Sequence, residues 1–481
     1  MAVACPLSLV SSLPFFDLFF AFTLFFYFTH TCILHIHTII LTIRYIAQMV
    51  KDIDATQRKA TLVDGEVQRT KVQTATFDRA EEIQVDGDQS RFSAMLGILR
   101  KLVGVSDIIS LRLSLPSQLL DPIPNLEYWN YMDRPEYFVR IADSDDEVER
   151  ILAVVAWWFS KLLKHSGKVL KPFNSILGEQ FFSRWQVDTA DNAARKGTLS
   201  TSSKNASSNG AYAGTNVTVE YITEQVSHHP PISAFVYRCP ERGIELSGLD
   251  HFCAKFTGLS ATVASGSECK GVFLNIKGRG EEYMSTHPTA NIVGWLRGSL
   301  KVQFVDTSYV VCEKTKLAAI VEFKEERWFG KNKDNVSGRV FRFSPEQRNQ
   351  IASWRLKDIP KSCDVVATFG GNWDKKVVVQ RGGEESTLVD LTDLQVAEKI
   401  VRPVEEQGPM ESRKVWGPVA DKMNQGKFGE ATKLKRSIEE DQRELAAERT
   451  AKGEPFVSAL FKVESVASGK PELLSDAPIN V

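Results

Sequence analysis

The residues best suited to chemistry in this 481-residue chain stand in three short segments. The first is Glu224-Gln225-Val226-Ser227-His228-His229-Pro230-Pro231, where two adjacent histidines end a predicted strand and run into two prolines. Each proline fixes its own φ and pushes the residue before it into extended geometry, so the imidazole pair is held rigidly at the strand end. Neighbouring side chains of a strand point to opposite faces, and a zinc site needs further ligands at suitable spacing, which the sequence does not supply. Imidazoles donating hydrogen bonds to an anion fit better, and a nearby phosphate favours their charged form. The second segment is Lys171-Pro172-Phe173-Asn174-Ser175-Ile176-Leu177-Gly178-Glu179, which offers an ammonium and an amide on a proline-stiffened turn. Taken alone, a loop lysine of this kind reads as solvated. The third is Lys435, Glu439 and Arg443, at i, i+4 and i+8 on one helix face. That spacing suits an exposed salt-bridge ladder. The ladder is the commoner case; the other reading is a cation pair whose arginine is oriented by Glu439 toward a phosphate.

The elements that must position these groups change along the chain. Residues from Asp143 to Lys164 predict a helix, capped by Asp143 or Ser144, with Val148, Ile151, Leu152, Val155, Trp158, Phe159 and Leu162 on its apolar face. From Phe181 to about Val379, short β-rich runs such as Val217/Val219/Tyr221 and Leu300/Val302/Phe304 recur between Gly, Asn and Lys turns. This texture predicts a meandering antiparallel sheet or barrel. Residues 189–214 read as a flexible insert between two strands. Helix returns from Ala431 to Lys452, with Leu434, Ile438 and Leu445 as a narrow apolar seam, and residues 464–481 read as irregular.

Before the helix, Phe92, Met95, Leu96, Leu99 and Val103 recur at helical spacing, followed by an alternating segment that Pro116 closes. It reads as packed core, or as a lid over residues 91–122. Residues 49–90 are polar and poor in aromatics, which predicts a disordered linker. From Leu13 to Ile46 the chain is dominated by Phe, Leu and Ile, interrupted by Asp17, three histidines and Arg44. We read residues 1–48 first as an extension ahead of a start at Met49; the alternatives are a membrane anchor and a targeting segment.

Composition narrows the function. With 59 Lys+Arg against 60 Asp+Glu, the net charge is −1, so a nucleic-acid partner is not expected. Seven dispersed cysteines without a CxxC pair read as reduced cytosolic thiols. No Walker or dinucleotide glycine pattern occurs, and there is no G-x-S-x-G elbow. Ser227 beside His228 leaves a phospholipid hydrolase as a remote alternative.

The string EQVSHHPP at Glu224 to Pro231 resembles the signature of the oxysterol-binding-protein-related family. KPFNSILGE at Lys171 to Glu179 resembles that family's KPxNPxLGE element, with Ser175 where proline is usual. EEQGPMESRKVW at Glu405 to Trp416 and KRSIEEDQRE at Lys435 to Glu444 are similar too. The likeness runs from about Phe92 to Phe461 and is to short members with the lipid-binding domain alone, here residues 91–463. It implies an α+β fold: an incomplete antiparallel β-barrel around an apolar lipid tunnel, with an N-terminal lid and flanking helices. It implies phosphatidylinositol 4-phosphate as ligand, its headgroup held by Lys171, Asn174, His228, His229, Lys435, Glu439 and Arg443. Trp129, Leu115, Leu119 and Leu120 fall in the tunnel and lid. A second lipid, a sterol first, would exchange through the same tunnel. The expectation is thus a monomeric, non-enzymatic transfer protein of the cytosol that visits anionic membrane surfaces of the endoplasmic reticulum or Golgi and needs no metal or cofactor. A lipid sensor with little net transport is the alternative.

Overall fold

In the computed structural model the described residues are 117, 120–167, 169–189, 216–256, 260–294, 300–324, 335–479 and 481. The N-terminal segment 1–48, the linker 49–90, most of the lid and nearly all of the insert 189–214 lie outside them. Fifteen strands form one sheet: β1 (Gln180–Asp188), β2 (Asn216–His228), β3 (Pro231–Cys239), β4 (Ile244–Asp250), β5 (Phe252–Phe256), β6 (Ala261–Ser265), β7 (Val272–Ile276), β8 (Glu281–Ser285), β9 (Thr289–Val293), β10 (Lys301–Cys312), β11 (Leu317–Phe323), β12 (Val336–Arg342), β13 (Val365–Gly371), β14 (Lys376–Arg381) and β15 (Glu384–Asp390). The path runs β1-β2-β3-β4-β7-β8-β10-β11-β12-β13-β14-β15, with β5, β6 and β9 branching from β10. Among the described residues every strand pair is antiparallel and β1 and β15 do not pair, so the barrel is incomplete. The free edge of β1 is shielded by the later chain, where Arg184 and Ile400 exchange backbone hydrogen bonds of 3.0 and 2.7 Å.

Helix α1 (Asn125–Tyr128), α2 (Pro135–Val139) and α3 (Glu147–Ser160) precede the sheet. α3 is shorter than the sequence predicts. Its N-cap is Asp146, whose carboxylate accepts from Val148 N and Glu149 N at 2.7 and 3.1 Å. Asp143 instead pairs with Arg242 and Asp145 with Arg279, and the chain beyond Ser160 tightens into a 3-10 turn at Leu163–Ser166. Side chains all round α3, Ile151 and Val154 alike, are buried against the inner faces of strands from β1 to β15. A helix apolar on every side belongs inside a fold. The buried Arg150 guanidinium fastens it to β8, donating to both Glu281 oxygens at 2.8 and 2.5 Å.

Three elements close the domain: α4 (Ser412–Asn424), α5 (Phe428–Lys452) and α6 (Val463–Ser468). Of the tail read as irregular, residues 464–468 are helical, while the described residues beyond them form no helix or strand. Val466, Leu473, Ala477, Ile479 and Val481 pack on the outer face of β1 to β4 beside Leu460 and Phe461. A six-residue helix is too short to show a periodicity, which is why the pattern escaped notice. β14 lies at the end of the predicted β-rich stretch, and β15 extends it by a further hairpin. Gly382 and Gly383 turn it at φ 60° and 86°, a geometry that side-chain-bearing residues adopt at a cost.

Candidate functional site

The Lys171–Glu179 loop is laid against the chain that enters α1. Lys171 N donates to Asp121 Oδ2 at 3.0 Å, Asp121 N to Lys171 O at 2.8 Å, and Phe173 N to Ile123 O at 3.1 Å. Pinned this way, the Lys171 ammonium donates to Asn174 Oδ1 at 2.8 Å and to Pro172 O at 3.2 Å. Lysine and amide thus act as one preset polar unit with surface toward solvent. The loop's other end joins β2: Gly178 N donates to Gln225 O at 2.9 Å and Gln225 N to Glu179 O at 2.8 Å. Gly178 sits at φ +79°, so a side chain there would be strained as well as crowded by Phe456 at 3.3 Å.

Three residues past Gln225, β2 ends at His228. The expectation that the two imidazoles face opposite sides is corrected: both are exposed, and their ring centroids are 4.5 Å apart at 61°. His229 lies beyond the last strand residue, in the turn, so strand alternation does not govern it. Among the described residues no group of three His, Cys, Asp or Glu side chains could hold a metal ion.

On α5 the ladder reading fails at one rung and changes at another. Lys435 is only 3% exposed, not solvated, and its ammonium reaches Glu439 Oε1 at 2.5 Å. Arg443 leans toward Glu440 at 3.9 Å and stays exposed, so Glu439 orients the lysine and not the arginine. Leu434 and Ile438 pack inward beside Ala431, but Leu445 faces solvent, which shortens the predicted seam. Burial pushes the Lys435 pKa down against the pull of Glu439. Desolvation by the surrounding protein, then the Lys435 charge, push Lys171 down to about 8. The Lys435 charge thus acts on a lysine 264 positions earlier in the chain.

Two buried glutamates hold these segments together, and sequence reasoning gave them no role. Glu179 accepts from Ser412 Oγ at 2.6 Å, Trp416 Nε1 at 2.9 Å and Ile176 N at 2.9 Å. Phe173 stacks on Trp416 at 4.9 Å and 18°. Glu224, at the head of the histidine segment, accepts from Ser458 Oγ at 2.5 Å and from Ala459 N and Leu460 N at 3.0 Å each. The chain leaving α5 is thereby tied to β2, while Ser117 Oγ of the lid segment donates to Phe428 O at 2.8 Å where α5 begins. Burial raises the pKa of both acids, that of Glu179 to about 7. The only available signal was their place inside the quoted strings. Glu179→Ala should lower stability by about 3 kcal/mol, since three donors lose their acceptor. Glu179→Gln, which keeps one acceptor oxygen, should lose roughly half as much, and urea midpoints will compare them.

Of the tunnel and lid candidates, Leu120 is buried beside Phe173 and Trp416. Trp129 is 39% exposed and sets its ring edge-on to Tyr128 at 4.9 Å. Leu115 and Leu119 lie outside the described residues.

With the geometry in place, the chain can be compared with known proteins. The model of the oxysterol-binding protein family matches residues 94–474. The chain belongs to the oxysterol-binding protein family. A Schizosaccharomyces pombe relative named oxysterol-binding protein-like protein 1 is 34% identical over 469 residues, covering 81% of this chain and 90% of that protein. Human oxysterol-binding protein-related protein 11 is 29% identical over 80% of this chain, which spans half of its length. The fold matches that of the Osh1 ORD domain solved with cholesterol, at TM-score 0.57, 21% identity, and coverage of 83% and 89% of the two chains. It also matches the Saccharomyces cerevisiae Osh3 ORD solved with PI(4)P, at TM-score 0.55 and 20% identity, covering 79% and 90%. The family match reaches Leu474, so it takes in α6 as well as the three polar segments.

Proposed function

We propose that this oxysterol-binding-family chain carries single lipids between membranes, holding phosphatidylinositol 4-phosphate or a second lipid, a sterol first, within the incomplete barrel. What supports the reading is the preset Lys171-Asn174 pair, on a loop hydrogen-bonded to the strand that ends in His228-His229, with the Lys435 charge of α5 acting on Lys171. Ammonium and imidazole groups on one rigid frame suit a multiply charged phosphate headgroup. Arg443, exposed two turns along α5 from Lys435, is free to swing toward such a ligand. The solved complexes of relatives with PI(4)P, cholesterol and ergosterol support both ligand classes.

Such cargo needs a carrier. A lipid's apolar body costs about 25 cal/mol for each Å² left in water, which makes unaided passage slow. A lid, residues 91–122, would open at a bilayer and close in solution. The basic groups would steer the protein, as a monomer, to anionic membranes. Among the described residues no helix is long and apolar enough to cross a membrane.

Liposome assays test the reading. Extraction of phosphatidylinositol 4-phosphate and its delivery to acceptor liposomes support it; binding without delivery would favour the sensor alternative, and hydrolysis products would favour an enzyme. Extraction should also fall several-fold as pH rises from 7 to 9. The Lys171 pKa, already held near 8, places loss of its charge in that window, and only the charged form pairs with phosphate.

A further inference from the structure

Gln225 stands where the lysine loop meets the histidine segment, and it is bonded to both. Its backbone serves the loop: Gln225 N donates to Glu179 O at 2.8 Å, and Gln225 O accepts from Gly178 N at 2.9 Å. Its side chain serves the histidines. Nε2 donates at 2.7 Å to the carbonyl oxygen of Ser227, the residue before His228, and Oε1 accepts from Ser233 Oγ of β3 at 2.7 Å. The side chain is buried.

The amide spans a β-bulge. Gln225 lies opposite Ser233 and Ser227 opposite Ile232, so Val226 faces no partner on β3. The extra residue changes the side to which His228 points. Tyr221 and Phe235 belong to the core around α3, whereas Val226 and Ile232 pack outside, beside the tail. Side chains alternate along a strand, so Gln225, four residues after Tyr221, faces inward. An unbroken β2 would turn His228, three residues further on, to the outer face. With the bulge, Ser227 falls opposite the outward Ile232, and His228 falls opposite Pro231 on the inward side. The chemistry of the partners fixes the amide's orientation. A carbonyl oxygen only accepts, so the nitrogen must face Ser227 O and the oxygen the Ser233 hydroxyl.

We propose that Gln225 is a positioning residue of the headgroup site. Its amide locks the Val226 bulge and so aims His228, while its backbone holds the Lys171–Asn174 loop against the same strand. The inference rests on the headgroup reading above and deepens it, giving Gln225 no contact with the lipid.

Variants of the full chain, each first shown to be folded by thermal unfolding, test this. Gln225→Met keeps the length and the backbone bonds and loses both amide bonds, so phosphatidylinositol 4-phosphate extraction should fall about tenfold. Gln225→Glu should be as impaired near about pH 8, where a carboxylate sets acceptor against acceptor at Ser227 O. Burial lifts a carboxyl pKa, as it lifts that of neighbouring Glu179 to about 7. Toward about pH 6 the protonated acid donates to Ser227 O and accepts from Ser233, so extraction relative to the wild type at the same pH should recover, and that of Gln225→Met should not. Taking the ratio removes the titration of Glu179, Lys171 and the histidines, which all three proteins share. A second readout needs no lipid. The ring C–H resonances of His228 and His229, assigned through single substitutions, should move in Gln225→Met, while those of His287, stacked on Tyr131, stay in place. Wild-type extraction by folded Gln225→Met overturns the proposal, as do unmoved His228 and His229 resonances. If Gln225→Met does not fold, Ser233→Ala, which removes the partner of Oε1, should lower extraction about threefold, and no change there overturns the proposal. A wild-type protein that extracts no phosphoinositide removes the headgroup reading, and the resonances still decide whether Gln225 sets the histidines.

Discussion

Replacing His228 and His229 together by alanine should reduce phosphatidylinositol 4-phosphate extraction at least about a hundredfold while leaving the protein folded. The two rings stand exposed at the end of β2, 4.5 Å apart, and neither belongs to a core cluster. Exposed substitutions of this kind usually change stability by less than about 0.5 kcal/mol. Hydrogen bonds to charged groups contribute about 1.5–3 kcal/mol each, and every 1.4 kcal/mol is roughly a factor of ten. Two such bonds to a phosphate therefore amount to a hundredfold or more. Extraction from liposomes measured beside the far-ultraviolet circular dichroism spectrum separates the outcomes. Unchanged extraction would remove the histidines from the site; a lost spectrum would make them structural.

Trp416→Ala should behave in the opposite way and cost about 3–5 kcal/mol of stability. Its indole is 1% exposed, stacks on Phe173 and donates to the buried Glu179 carboxylate at 2.9 Å. Alanine leaves a cavity and takes one of three donors from Glu179. It also releases the loop that carries Lys171 and Asn174, so extraction should fall even at temperatures where the variant is still folded. Trp416→Phe keeps a ring against Phe173 and loses the N–H, and should cost only about 1 kcal/mol. Urea unfolding of the three proteins is the check. Equal midpoints would mean that the stack and the glutamate do not hold the loop.

The sheet was legible because alternation at positions such as Val217, Val219 and Tyr221 marks the inner face of β2, which enters the core around α3, a local property. The histidine segment was legible because two prolines fix its backbone whatever surrounds it. Residues whose role depends on distant partners were not. Glu179 meets Ser412 from 233 positions away and Glu224 meets Ser458 from 234, and an acid near a strand end otherwise reads as surface. The burial of Lys435 was not legible either, since a helix this charged gives no local hint that one lysine is 3% exposed. The caps of α3 were misplaced by a few residues, because Asp143, Ser144, Asp145 and Asp146 are all competent and only the fold chooses among them.

We propose that one lipid is held at a time, its charged head against Lys171 and Lys435 and its apolar body inside the sheet. Native mass spectrometry of the protein incubated with phosphatidylinositol 4-phosphate and sterol liposomes tests this directly. The expected spectrum shows each chain with either lipid and none with both, the phosphoinositide peak vanishing in the His228→Ala, His229→Ala protein. A chain carrying both lipids together, or a phosphoinositide peak indifferent to those substitutions, would contradict it.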